Sequence, residues 1–269
     1  MDLWILSLIH VLRKTMKIII ITQDEPFYLS DNLQYLIERL PEHSRVVGCV
    51  VSEVSPFGKK ETLFQKAKKT YKIFGLKFFC HYAFEFLMSK ITSKNNISGV
   101  LKRFGVPKIT LTESINAQSS VDLIKSYEPD LLVSILGNQI FKEPIINLAP
   151  KGCINLHTAL LPKYRGLMPT FWVLKNNEKY TGVSVFFVDE GIDSGPIIVQ
   201  EKVEINNKTQ EELIKQTKKL GMDAIIKAID LIEKDKVKLI ENDASKMSYY
   251  SFPTKEDVRE FLVQGKRFF

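Results

Sequence analysis

Lys151-Gly152-Cys153-Ile154-Asn155-Leu156-His157 is an apolar run that ends in an amide and an imidazole. It reads as a short buried strand, and in a strand residues two apart point to the same face. Asn155 and His157 therefore aim into one cavity. A second strand, 183–188, precedes Asp193, which lies in a turn bounded by Gly191 and Gly195. Glycines there let the backbone fold tightly or approach a ligand closely. The amide, imidazole and carboxylate are the groups one would choose to move an acyl unit onto an amine. An amide N–H can donate to a developing oxyanion. An imidazole can serve near neutral pH as donor, acid or base, and a carboxylate can orient it or receive a proton. Taken alone, a histidine near a strand end is usually structural; the long, chemically coherent setting is what gives the trio weight.

Outward from this run, strands and helices alternate. Met16-Lys17-Ile18-Ile19-Ile20-Ile21 reads as the first strand. An amphipathic helix over 31–40 stops at Pro41, and a strand follows over 46–51. A helical insertion over about 59–104 leads to a strand over 107–111, a helix over 121–127 and a strand over 131–136. Beyond His157 come a helix over 169–175 and strands over 183–188 and 197–203. This order predicts an α/β fold with a doubly wound, mainly parallel sheet. Ligands in such sheets bind beyond the carboxyl ends of the strands, where Asn155 and His157 fall.

Thr209-Gln210-Glu211-Glu212 is a capping box that opens a long helix with Leu213, Leu220, Ala224 and Leu231 on one face. The tail, 248–269, is too small to fold alone and is expected to pack back on the core. The domain reading is thus an extension over 1–15 outside the fold, a catalytic domain over 16–206, and a C-terminal helix and tail over 207–269. The extension, MDLWILSLIHVLRKT, is too short to span a bilayer. It also lacks the basic n-region and cleavage site of a signal peptide.

At 269 residues and 45% apolar content, the chain can bury one large domain or a domain with an appendage. Cys49, Cys80 and Cys153 are an odd number without close spacing, which suits reduced thiols and a cytoplasmic location. Four scattered histidines predict no metal site. The net charge of +7 is concentrated at Lys59, Lys60, Lys66, Lys68, Lys69, Lys72 and Lys77, interleaved with Phe64, Tyr71, Phe74, Phe78 and Phe79. The simplest reading is a helical insertion with a solvated basic face. A surface for an anionic acceptor and a membrane-surface role are the alternatives.

Three segments carry a resemblance to a known family. They are Asn155-Leu156-His157, Ala159-Leu160-Leu161-Pro162-Lys163-Tyr164-Arg165-Gly166 and Asp189-Glu190-Gly191-Ile192-Asp193-Ser194-Gly195. The chain resembles the formyltransferases that use 10-formyltetrahydrofolate, with their N-x-H, S-L-L-P-x-x-R/K-G and D-x-G-x-D-T/S-G motifs. That group includes methionyl-tRNA formyltransferase, glycinamide ribonucleotide formyltransferase and the nucleotide-linked amino-sugar N-formyltransferases. Ala159 stands where the pattern has serine. The resemblance is strong over about 130–205 and looser from Met16 to about 235.

The resemblance implies Asn155, His157 and Asp193 as the catalytic set. Asp193, directly or through a water, would take the proton of the attacking amine, while Asn155 and a protonated His157 stabilise the oxyanion. It also implies that Leu136, Gly137, Asn138, Gln139 and Ile140 bind the pterin of the folate by their backbone, opposite a wall of Asp189, Glu190, Gly191 and Ile192. Thr22-Gln23-Asp24-Glu25-Pro26-Phe27-Tyr28 follows the first strand in place of a glycine-rich phosphate turn. That counts against glycinamide ribonucleotide as acceptor, and no G-x-G-x-x-G marks a dinucleotide site.

The separate C-terminal domain expected of methionyl-tRNA formyltransferase is not seen in the sequence, which weakens the tRNA reading. The acceptor expected is a small phosphate-bearing amine, most plausibly a nucleotide-linked amino sugar. Lys163 and Arg165 are the candidates to hold its phosphate, the arginine as a bidentate fork. Transfer to tRNA, hydrolysis of formyltetrahydrofolate and non-catalytic folate binding are the rival readings, and a homodimer is a further expectation.

Overall fold

The computed structural model describes residues 14–53, 61–92, 96–137 and 139–269. The expectation of an extension over 1–15 therefore lies, up to residue 13, outside the described residues. In chain order the main elements are β1 (Met16–Gln23), α1 (Leu29–Glu38), β2 (Ser44–Ser52), α2 (Leu63–Thr92), α3 (Ile97–Arg103), β3 (Lys108–Ile109), α4 (Gln118–Lys125) and β4 (Leu131–Ile135). Then follow α5 (Glu143–Ile146), β5 (Cys153–His157), β6 (Arg165–Gly166), α6 (Pro169–Lys175), β7 (Tyr180–Phe187), β8 (Ile197–Glu204), α7 (Gln210–Glu233), β9 (Tyr249–Tyr250) and α8 (Lys255–Val263).

Among the described residues, seven strands form one sheet in the order β3-β2-β1-β4-β5-β7-β8. The pairs from β3 through β5 are parallel, and β5–β7 and β7–β8 are antiparallel. The α/β fold with a mainly parallel sheet read from the sequence is thus borne out. The isoleucines of β1 explain why it lies inside. Ile18 and Ile20 enter one apolar layer, with Val183, Val185 and Ile225. Ile19 and Ile21 enter the opposite layer, with Ile124, Leu132 and Ile145. A parallel strand covered on both faces needs this unbroken apolar run.

Helix α7 begins where the capping box places it. Thr209 Oγ1 accepts from the Glu212 amide at 3.2 Å, and the Glu212 carboxylate accepts from the Thr209 amide at 2.7 Å. The helix then packs along β7 and β8, and Gly221 lets it approach β5: a Cβ there would meet Leu156 Cδ2 at 2.6 Å. Helix contact thus fixes the strand one residue before His157.

The helical insertion resolves into two parts of different character. Helix α2 bends at Gly75, whose φ is +83°. It leaves Phe64, Leu76, Phe84 and Leu87 exposed. Helix α3 instead buries Ile97, Val100 and Leu101 in the main core, as a crossover between β2 and β3.

The tail has more structure than its length promised. Phe261 and Phe268 stack on each other and join Phe171, Trp172 and Phe74 in a separate aromatic core. The carbonyls of Arg267 and Phe268 accept from the Gln210 and Glu211 amides, capping the start of α7. Strand β9 pairs with β6, bringing the tail against the Arg165-Gly166 segment. Among the described residues, no helix is long and apolar enough to cross a membrane.

Candidate active site

A cavity of about 350 Å³ opens beyond the carboxyl ends of β4 and β5. Asn155, His157 and Asp193 all line it. Asn155 and His157 share one face of β5, as residues two apart must. On the other face Ile154 enters the main core. Asp193 arrives from the loop between β7 and β8, with a left-handed φ of 49°.

His157 is buried and its ring is oriented by the backbone. Nε2 lies 2.7 Å from the Tyr164 carbonyl oxygen, which can only accept, so Nε2 carries a proton. Nδ1 is left to face Asp193 Oδ2 at 3.5 Å. That same carboxylate oxygen accepts from the Gly166 amide at 2.9 Å. Gly166 has φ +96°, and a Cβ there would meet the Tyr250 carbonyl oxygen at 2.2 Å. Only glycine brings this amide to the carboxylate while β9 passes so close. Asn155 Oδ1 is buried with no hydrogen-bond partner among the described residues. A buried polar atom of this kind is the place where a ligand donor is expected.

One wall of the cavity is the loop after β4. Leu136, Gly137, Gln139 and Ile140 line it, and Asn138 lies outside the described residues. Gln139 Oε1 accepts from the Ile115 amide at 3.1 Å, and Asn116 Nδ2 donates to the Ile140 carbonyl at 2.8 Å. The loop is therefore braced by a neighbouring turn. Asp189, Gly191 and Ile192 line the opposite wall, whereas Glu190 is exposed and does not reach the cavity. Ile135, Phe141, Phe186 and Val188 make the space between these walls apolar.

Two expected contacts are placed elsewhere. Lys163 is exposed and Arg165 is buried, and neither lines the cavity. The Arg165 guanidinium is spent on Asn242: Nη2 donates to Oδ1 at 2.8 Å and to the backbone carbonyl at 3.3 Å. A guanidinium buried there, outside the cavity lining, is not placed to hold a phosphate bound in the cavity. Among the described residues, the lysine or arginine that lines the cavity is Lys218, from α7. Its Nζ lies 3.4 Å from Glu25 Oε2, and burial holds the ammonium below the ordinary lysine range, with the Glu25 carboxylate opposing. Glu25 also accepts from the Phe27 and Tyr28 amides, both at 3.0 Å, at the start of α1.

The sequence reading also missed the residues that hold the turn after His157. Ser184 Oγ donates to the Ala159 carbonyl at 2.7 Å and accepts from the Leu161 amide at 3.1 Å. Gln200 Nε2 donates to the Leu161 carbonyl at 2.9 Å. The buried hydroxyl thus comes from the neighbouring strand, not from position 159. Burial pushes the Cys153 thiol up. Among the described residues no group of His, Cys, Asp and Glu is placed to hold a metal ion.

Residues 16–229 match the formyl transferase family. A methionyl-tRNA formyltransferase from Kosmotoga olearia is 35% identical over 162 residues, which are 60% of this chain and 52% of that protein. The chain spans about half the length of such relatives. A phosphoribosylglycinamide formyltransferase from Anaplasma phagocytophilum shares the fold, with a TM-score of 0.62 at 16% identity over 88% of this chain and 99% of that one. So does an N-formyltransferase from Helicobacter canadensis, in complex with folinic acid and dTDP-3-aminofucose, with a TM-score of 0.54 at 18% identity over 88% and 71%.

Proposed function

The chain belongs to the formyl transferase family, and from that premise we propose that it moves a formyl group from 10-formyltetrahydrofolate to the primary amine of a nucleotide-linked amino sugar. The observation that carries this reading is the meeting of Asn155, His157 and Asp193 at one cavity. The fit to a folate donor rests on the apolar space between two loops and on the Asn155 oxygen, which has no partner among the described residues.

The donor supplies the formyl carbon, and the residues do the rest. Asp193, directly or through a water, takes a proton from the attacking amine. His157 works through Nδ1, because Nε2 is held by the Tyr164 carbonyl. With a proton on Nδ1, the ring supports the negative charge that gathers on the formyl oxygen and then returns the proton to the departing folate nitrogen. Asn155 holds the reacting group with its amide: Oδ1 accepts from the amine, and Nδ2 donates toward the formyl oxygen. Preorganised donors of this kind act strongly where bound ligands displace water. The new carbon–nitrogen bond forms first, giving the oxyanion, and the old one breaks as the oxyanion collapses and the folate nitrogen takes its proton; no covalent bond to the enzyme is needed.

Lys218 replaces Lys163 and Arg165 as the proposed acceptor contact: it lines the cavity, and the Glu25 carboxylate 3.4 Å from its Nζ holds the ammonium in place. Lys218→Gln is expected to raise the acceptor KM about 10- to 100-fold, the effect of losing one hydrogen bond from a charged group, with the folate KM little changed. A parallel loss of folate affinity would place Lys218 in the donor site instead.

A second reading, transfer to methionyl-tRNA, is favoured by the sequence relatives. Comparing kcat/KM for a dTDP-linked amino sugar, glycinamide ribonucleotide and methionyl-tRNA separates them. The sugar nucleotide is expected to rank first; methionyl-tRNA ranking first would overturn the acceptor assignment and leave the formyl chemistry standing.

A further inference from the structure

We infer that Asn242 is a positioning residue for Asp193, an inference that rests on the catalytic role proposed for that carboxylate. Asn242 lies beyond the segment that matches the family, which ends at residue 229. Its backbone is delivered by a bridge two residues earlier: Ile240 and Ile197 exchange both amide–carbonyl hydrogen bonds, at 2.8 and 2.9 Å. That bridge pins the segment to the first residue of β8, just after the Asp193 loop.

The side chain of Asn242 is buried and every hydrogen of its amide is used. Nδ2 donates to the Asp193 carbonyl and to the Gly195 carbonyl, each at 2.9 Å. Oδ1 accepts from Arg165 Nη2 at 2.8 Å. The orientation of this amide is fixed by chemistry, since carbonyls only accept and a guanidinium only donates. Asn242 therefore ties both backbone carbonyls of the Asp193 turn to Arg165. Arg165 is the residue before Gly166, and the Gly166 amide donates to Asp193 Oδ2 at 2.9 Å.

The contacts close a ring: Asn242 holds the backbone of Asp193, Arg165 holds Asn242, and the next amide along holds the Asp193 carboxylate. Asp193 sits in a left-handed conformation, uncommon for non-glycine residues though more accessible to aspartate than to most. The two carbonyl contacts hold the turn in it. This also gives Arg165 a role in place of the phosphate contact expected from the sequence: it aligns the base.

The test is a double-mutant cycle, with formyl transfer from 10-formyltetrahydrofolate measured in wild type, Asn242→Ala, Asp193→Asn and the double variant. A dTDP-linked amino sugar is the acceptor. Asn242→Ala is expected to lower kcat on the order of 10- to 100-fold, as a misplaced catalytic group does, with the folate KM nearly constant. In the Asp193→Asn background it should cost little more, because the group it positions is already lost. Equal fractional losses in both backgrounds would overturn the inference. An Asp193→Asn variant with the wild-type rate would instead remove its premise.

Asn242→Asp asks whether the two amide donors, and not the volume of the side chain, hold the turn. It keeps an acceptor for Arg165 but sets a carboxylate against the two carbonyls, so it is expected to lose kcat as Asn242→Ala does. A fully active Asn242→Asp would also overturn the inference. Amide hydrogen exchange gives a readout that needs no acceptor: the Gly166 amide should exchange faster in both Asn242 variants. Unchanged protection of Gly166 would count against the ring of contacts.

Discussion

Replacing Asp193 with asparagine is expected to abolish most formyl transfer while leaving affinity for a folate analogue in place. The loss should be on the order of 10²- to 10⁴-fold, the range for a positioned acid or base. The structure makes the substitution clean. Asparagine keeps an oxygen able to accept from the Gly166 amide, which now donates to Oδ2 at 2.9 Å, so the loop has no reason to move. What disappears is the negative charge 3.5 Å from His157 Nδ1 and the ability to take a proton. Raising the pH should recover part of the rate by supplying more neutral amine. A loss of folate affinity in parallel with the rate would mean that Asp193 mainly shapes the cofactor wall. An asparagine variant as fast as wild type would remove the carboxylate as base.

Replacing His157 with alanine is expected to slow the chemical step on the order of 10²- to 10³-fold, the effect of removing one oxyanion-stabilising donor. Folate binding should weaken far less, because the proposed cofactor walls are the loops after β4 and before β8. The ring is held by the Tyr164 carbonyl at 2.7 Å, and alanine leaves that carbonyl without this donor. A modest stability loss of about 1–3 kcal/mol should accompany the rate effect. Rate and stability can be separated by assaying well below the melting temperature. Near wild-type turnover there would exclude His157 from the mechanism.

The parts of the fold that could be read in advance are those set by local pattern. The isoleucine run of β1 and the capping box at Thr209 are visible in a few residues, and the structure shows the strand and the helix where they point. The pairing of Asn155 and His157 follows from strand geometry alone. The rest was hidden because it depends on contacts distant in sequence. Arg165 looks like a free cation in its motif, yet its partner Asn242 lies 77 positions later in a polar stretch that reads as an ordinary loop. Lys218 sits in the middle of a long helix, where periodicity marks it as one more solvated charge. Glu25 and Lys218 are 193 positions apart, so no local signal ties that carboxylate to a lysine in the cavity wall.

The most direct measurement follows a labelled formyl carbon from 10-formyltetrahydrofolate in a single turnover, with and without a dTDP-linked amino sugar. The label is expected to appear as an amide on the sugar, one equivalent for each tetrahydrofolate released, with almost no formate and almost no turnover when the amine is left out. Label released as formate at the same rate with or without the amine would contradict formyl transfer and identify a hydrolase. A donor that binds but never loses its label to any amine or to water would identify a protein that only holds folate.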